Sequence, residues 1–379
     1  HPLDQTMKTT HLPLPSPAPG MQRHLTVHEY GDGPRKAYFQ AGLHADEWPG
    51  LLTLQHLMEK LDTLEQAGQV RQRIVIVPFA NPVGMNQRLF GKFPGRFDAT
   101  TGQNFNRGMS LSTGALTHRV GHLLNAEADR NDVQVRAALR QLVEEKPAHY
   151  EIEALHKALL SQSIDAHLML DLHCDDHALP HVFYGDHQRP IGTQLADCLG
   201  FAIRLEEDVR GTVAFDGSHT QPWIALAENT GKPFAEPCFA ATVELRGQKD
   251  VSDALARQDA EGLLAFLEQQ GFVSNSSAKA QPQQGDTLSI NVDQVKVITS
   301  PANGLVVYHR ALGDWVDAGD LLAEIVLLDS HRPERVQVPA PASGRLFSQT
   351  NTFLTSPGAS IGMIASKDQQ IQPGTQLSY

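Results

Sequence analysis

The stretch Tyr38-Phe39-Gln40-Ala41-Gly42-Leu43-His44-Ala45-Asp46-Glu47-Trp48-Pro49-Gly50 decides the fold. Its apolar start reads as a buried strand that stops at Gly42, and Pro49 is a favoured first-turn residue of the helix that follows. His44 and Glu47 fall on the turn between the two. At the carboxyl end of a strand in a parallel sheet, an imidazole and a carboxylate three residues apart can face one cation, and we read the pair as two ligands of a zinc ion. The His-x-x-Glu pattern recurs at His56/Glu59 and His331/Glu334, as chance allows in a chain with 18 histidines. His56/Glu59 lies within the next amphipathic helix, on a face expected to be solvated. His331/Glu334 flanks Pro333 in a turn, so only His44/Glu47 has the strand-turn-helix context.

Working outward, residues 25–30 and 36–41 read as strands around the turn Gly31-Asp32-Gly33-Pro34. A helix is expected from Trp48 to about Ala67. The β-branched run at 73–79 reads as a parallel strand covered on both faces. Residues 85–109 form a long Gly-, Arg- and Asn-rich loop, and 113–163 are helical. Strands follow at 164–172, 201–205 and 239–245, with helices at 191–199 and 252–269 and a Gly-containing loop at 211–219. This alternation predicts an α/β fold for residues 25–273, a mixed, mostly parallel sheet flanked by helices. Residues 1–24, with prolines at 2, 13, 15, 17 and 19, read as a flexible amino-terminal arm and not as a signal peptide.

The composition changes at Asn275-Ser276-Ser277, and residues 274–379 read as a small all-β domain. Pro301-Ala302-Asn303-Gly304 is echoed forty residues later by Pro341-Ala342-Ser343-Gly344, which predicts a quasi-twofold sandwich. The segment Gly313-Asp314-Trp315-Val316-Asp317-Ala318-Gly319-Asp320 resembles the biotinyl/lipoyl-type barrel-sandwich domain. Carriers of that type present a lysine on the central hairpin. Here the hairpin reads Asp329-Ser330-His331-Arg332 and the only lysine after Lys296 is Lys367, so packing or gating is expected in place of cofactor carriage.

A hydrophobic fraction of 41% and a charged fraction of 20% are ordinary for soluble globular protein, and no run reads as a transmembrane helix. A net charge of −12 argues against nucleic acid or an anionic membrane as partner. The three cysteines, Cys174, Cys198 and Cys238, have no paired spacing, which suits a reducing, cytoplasmic location. Cys174 beside His173 reads as a small buried thiol.

Catalytic zinc usually takes three protein ligands and leaves a fourth position for water. His173, at the carboxyl end of Leu168-Met169-Leu170-Asp171-Leu172, is placed like His44 and is the best third candidate. Glu244 falls late in the apolar strand Phe239-Ala240-Ala241-Thr242-Val243, where a charge is costly unless it faces a site, and it suits a general base. The competing reading pairs it with Arg246. Arg88, Arg96 and Arg107 lie on one loop with Asn104 and Asn106, and guanidinium groups grip carboxylates two-pronged, so a small anionic substrate is expected.

These residues carry a resemblance. His44-x-x-Glu47, Asn81-Pro82, Asn104-Phe105-Asn106-Arg107, Asp171-Leu172-His173 and Thr242-Val243-Glu244 occur in the order found in zinc carboxypeptidase-like hydrolases, and over residues 36–270 the chain resembles the succinylglutamate desuccinylase/aspartoacylase branch. The resemblance implies one zinc ion on His44, Glu47 and His173, Glu244 as catalytic base, and Asn106 and Arg107 on the substrate carboxylate. Either Arg96, the preferred residue, or Arg88 would polarise the scissile carbonyl. The family commonly has Asp-Leu-Asn-Arg where this chain has Asn104-Phe105-Asn106-Arg107, and the 113–163 helical insert has no counterpart in smaller members. The implied activity is removal of an acyl group from a small N-acyl amino acid, with a carboxypeptidase acting on peptide ends as the alternative and assembly into a homo-oligomer left open.

Overall fold

The computed structural model describes residues 7–332 and 334–367. In chain order the first elements are strands β1 (Lys8–Leu14), β2 (Arg23–Tyr30) and β3 (Lys36–Ala41), helix α1 (Pro49–Gln66), strand β4 (Arg73–Val77) and the short helix α2 (Pro82–Met85). Helices α3 (Thr113–Val120), α4 (Ala128–Glu144) and α5 (Glu151–Ser163) follow, then β5 (Leu168–Asp175), β6 (His177–Ala178), β7 (His181–Gly185), α6 (Arg189–Leu199) and β8 (Ile203–Glu207). Helix α7 (Phe215–Thr230), β9 (Phe239–Gly247), α8 (Asp253–Gln269) and β10 (Leu288–Asn291) complete the larger sheet and its covering helices.

Nine strands form one mixed sheet in the order β1-β2-β4-β3-β5-β9-β7-β8-β10. Its centre, β4-β3-β5-β9, is parallel, so the strands deliver their carboxyl ends to one edge. Strand alternation divides the central residues between two apolar layers. Phe39, Leu170, Leu172, Ala241 and Val243 pack beneath α1, α6 and α8. Tyr38, Met169 and Ala240 pack beneath α3, α4, α5 and α7. On this second face each strand turns polar toward its carboxyl end, giving Gln40, Asp171, His173, Thr242 and Glu244. Parallel pairing aligns them in rows, Gln40 beside Asp171 beside Thr242 and His173 beside Glu244.

Several expectations need correction. Lys8–Leu14 is no loose arm, because it pairs with β2 along seven positions. The strand expected at 164–172 begins and ends later, which places His173 within it. The loop expected at 211–219 gives way to α7 at Phe215. That helix has no apolar period to reveal it, since it buries Asp216, Ser218, His219 and Thr220 and contains Pro222.

The carboxyl-terminal segment contributes β11 (Val295–Thr299), β12 (Gly304–Tyr308), β13 (Trp315–Val316), β14 (Leu321–Leu327), β15 (Glu334–Pro339), β16 (Gly344–Gln349), β17 (Leu354–Thr355) and β18 (Ser360–Ala365). They form two sheets, β11-β18-β16-β13 and β15-β14-β12-β17, and the two copies of the repeat lead into β12 and β16 on opposite sheets. The two regions exchange edges. β6 pairs with β16, and β10 adds in parallel to β8, so residues past 273 help to build the larger sheet.

Arg246 adopts a left-handed backbone (φ 71) and its guanidinium makes two bonds, of 2.8 and 2.9 Å, to Asp259 of α8. Both side chains are buried, and Glu244 has no part in the pair. Removing one partner of such a pair strands the other charge in the interior. Asp259→Ala should therefore cost about 3–5 kcal/mol of folding stability, read as a lowered urea midpoint.

Candidate active site at the carboxyl edge of the sheet

The chain leaves β3 through Gly42 at φ +74, a conformation open to glycine, and turns back on a Glu47 N–H to His44 carbonyl bond of 3.1 Å. Glu47 then sits just before α1, where the helix dipole favours negative charge. His44 Nδ1 lies 2.8 Å from Glu47 Oε1, and His173 Nδ1 lies 2.9 Å from Glu47 Oε2. The Cys174 backbone N–H donates to the same Oε2 at 3.0 Å. All three side chains are buried, with one ligand atom of each within 4.8 Å of the others.

The far ring nitrogens are engaged as well. His173 Nε2 contacts Asp171 Oδ2 at 2.7 Å, and His44 Nε2 contacts the Asn104 side-chain oxygen at 2.9 Å. Partners on Nε2 leave Nδ1 of each ring facing Glu47, as expected of metal-bound histidines held by an outer layer of acceptors. Two imidazoles and a carboxylate fit zinc. The Asn104 amide stands where the family motif commonly has a carboxylate, so His44 has a neutral partner and His173 a charged one.

Charge balance agrees with this donor set. Burial would raise the Glu47 carboxyl, but His44 and His173 hold it well below the usual carboxylate range. Against the cost of its own burial, His173 is raised by Asp171 and Glu47. Glu244 is different: burial pushes its carboxyl up to about 8, opposed by His173 and assisted by Glu47 and Asp175. Glu244 Oε2 and Arg96 Nε are buried without a hydrogen-bond partner among the described residues. Buried polar atoms rarely remain so unless something else meets them.

A cavity of about 530 Å³ joins these groups, lined by His44, Glu47, His173, Glu244, Arg96, Asn106 and Arg107. Arg96 Nη1 lies 3.7 Å from Glu47 Oε1. Arg107 is braced by its Nη1 on the Asn106 carbonyl at 2.7 Å, while Asn106 Oδ1 accepts from the Phe215 N–H at 2.8 Å and ties the loop to α7. Arg88 is not among the lining residues, and its guanidinium lies over the Phe93 ring, 5.2 Å from the centroid. The expectation that Arg88 contacts substrate is thus unsupported by its position. His56 is not on the solvated face expected for it: its side chain is only 11% exposed and bonds Asp253 at the start of α8 at 2.8 Å. Cys174 is buried, and its thiol is pushed up by burial, so it is an inert wall residue.

Sequence reasoning missed the opposite wall, formed by Glu207, Asp208, Arg210 and Asp216 with Asn291, Val292, Asp293 and Met363. Burial, with Asp216, Asp186 and Asp208 nearby, raises Glu207 to about 8. It also missed Gln40, a polar residue in an otherwise apolar strand that the argument applied to Glu244 would have flagged.

At the carboxyl edge of its parallel-centred α/β sheet the chain carries a buried His-Glu-His group that could hold a metal ion. The family model for the succinylglutamate desuccinylase/aspartoacylase catalytic domain matches residues 34–269, and the chain belongs to that family. No curated protein matches. Among solved structures, a Shewanella frigidimarina NCIMB 400 protein assigned to succinylglutamate desuccinylase/aspartoacylase is 23% identical, with a TM-score of 0.82 over 96% of this chain and 98% of that one. A family protein from Shewanella amazonensis SB2B is 24% identical, with a TM-score of 0.82 over 95% and 99%. The product-bound ectoine utilization protein EutE (DoeB) from Ruegeria pomeroyi is 19% identical, with a TM-score of 0.63 over 96% and 97%. At these identities the likeness is one of fold.

Two tests follow from the geometry. A Cβ on Gly95 would lie 2.1 Å from the Asp46 backbone nitrogen, so Gly95→Ala should push the Arg96 loop off the His44 turn. Ligand affinity should fall about tenfold or more while the melting temperature changes by a few degrees. In metal-free protein, Glu244 keeps its proton up to about pH 8 when folded but only to the ordinary carboxylate range when unfolded. The native state then binds more protons across that window, and stability falls as pH rises. Relative to Glu244→Gln, which stays neutral, wild-type stability should decline from about pH 5 to 8 and level above it, as read by denaturation at each pH.

Proposed function

We propose that the protein is a zinc-dependent amide hydrolase that removes an acyl group from an N-acyl amino acid or a related small carboxylate. The observation that supports this reading best is Glu244 Oε2, buried without a partner in the same cavity as the His44-Glu47-His173 group. A zinc ion held by His44, Glu47 and His173 would supply Lewis-acid polarisation of water and of the scissile carbonyl. Glu244 takes the proton of the attacking water and passes it to the leaving nitrogen, and its raised affinity for protons suits both halves of that transfer. Arg96, whose Nη1 lies 3.7 Å from Glu47 Oε1 and whose buried Nε–H has no partner among the described residues, meets the oxyanion. Arg107 receives the substrate carboxylate with its planar fork, and Asn106 fixes the position of that fork through α7 and its own carbonyl.

The wall of Asn291, Val292, Asp293 and Met363 favours small substrates over peptide ends, because the carboxyl-terminal region closes one side of the cavity. Three buried, unpaired cysteines support a reducing, cytoplasmic setting.

A panel of N-acetyl and N-succinyl amino acids assayed against short peptides decides the substrate class, with turnover of the former and not the latter expected. Glu244→Ala should keep stoichiometric zinc and lose about 10²–10⁴ in kcat/KM. Normal turnover by that variant would remove the assigned mechanism.

A further inference from the structure

A chain of buried side chains runs away from the candidate metal centre into the sheet. The Tyr38 hydroxyl donates to Gln40 Oε1 at 2.7 Å, Gln40 Nε2 donates to Asp171 Oδ1 at 3.0 Å, and Asp171 Oδ2 accepts from His173 Nε2 at 2.7 Å. Tyr38, Gln40 and Asp171 each have 0% exposure, so water cannot substitute for any link. Tyr38 and Gln40 share a face of β3, and pairing sets Gln40 directly beside Asp171 on β5.

The direction of each bond follows from the donor inventory. A phenol that donates to Oε1 fixes which end of the Gln40 amide is oxygen, and Nε2 must then point at Asp171. An inverted amide would set oxygen against carboxylate oxygen. With Oδ1 pinned by the amide, the carboxylate plane is fixed and Oδ2 stays on His173 Nε2. The ring nitrogen bonded to a carboxylate carries the hydrogen, so the other, Nδ1, has the lone pair for a metal ion. His44 has a shorter support: Asn104 Oδ1 accepts from His44 Nε2 and also from the Asn106 backbone N–H at 2.8 Å, and among the described residues no further side-chain hydrogen bond extends it.

We propose that Gln40 and Tyr38 are positioning residues of the metal centre, fixing the tautomer and tilt of His173 through Asp171 without touching ion or substrate. This rests on the reading of His44, Glu47 and His173 as the ligand set. It adds that the set is held from inside the sheet on one side, so the His173 arm is rigid where the His44 arm rides on a loop.

The test uses the full chain and zinc alone. Zinc dissociation constants of wild type, Gln40→Met and Tyr38→Phe are measured by chelator competition well below every melting temperature, with melting of the metal-free proteins as the control. Loss of an outer partner of a ligand typically costs about 10–100-fold in metal affinity, so Gln40→Met should fall in that range and Tyr38→Phe by about threefold to tenfold. Tyr38→Phe keeps the ring and the Gln40-Asp171 bond, and it decides the matter if Gln40→Met does not fold. Zinc affinity within twofold of wild type in Tyr38→Phe and in any folded Gln40→Met, with or without lowered melting, would make the chain structural only and overturn the proposal. A wild-type protein that binds no zinc would overturn the ligand set itself, a result distinguishable from the first.

Discussion

One carboxylate holds the site together. Glu47 reaches His44 through one oxygen and His173 through the other, which joins the turn after β3 to the end of β5. Both rings meet Glu47 at hydrogen-bond distance, and the burial of all three groups makes those contacts strong. The Asp171 carboxylate and the Asn104 amide hold the rings from behind, and the Cys174 backbone N–H holds Glu47 itself.

The larger sheet makes that arrangement affordable. Apolar residues line one face of β3, β5 and β9 along their whole length, and on the other face they give way to polar residues toward the carboxyl ends. Burying Gln40, Asp171 and Thr242 side by side is tolerable because each finds a partner in the row or above it. Asp216 at the start of α7 caps the same row, and burial with Asp171 nearby raises its carboxyl. The cavity therefore lies between guanidinium groups on the long loop and carboxyl groups near β8 and α7, and a ligand inside meets both signs of charge.

Much of this was legible in the order of residues. The strand, turn and helix from Tyr38 to Gly50 gave the placement of His44 and Glu47, because a buried strand, a glycine at its exit and a proline opening a helix leave little choice of geometry. The strands ending near His173 and Glu244 were legible for the same reason. Helix α7 was not, since its buried polar face erases the apolar period on which such reading depends. The part taken by β10 in the larger sheet was hidden too, because pairing across 80 residues of chain leaves no local trace. Arg88 shows the limit of composition: the sequence left it as an alternative to Arg96 for the carbonyl, and stacking on Phe93 sets it apart from the lining arginines.

The exchange of β6 and β10 has a consequence for the molecule as a whole. β8 would be the outermost strand of the large sheet were it not for Leu288–Asn291, and its free backbone groups would offer a template for another chain. The carboxyl-terminal region thus moves that border onto a four-residue strand, too short to be a good template, in the same stroke that it walls the cavity. At the opposite border, Lys8–Leu14 carries Lys8 and Pro13, residues that discourage a further strand from docking.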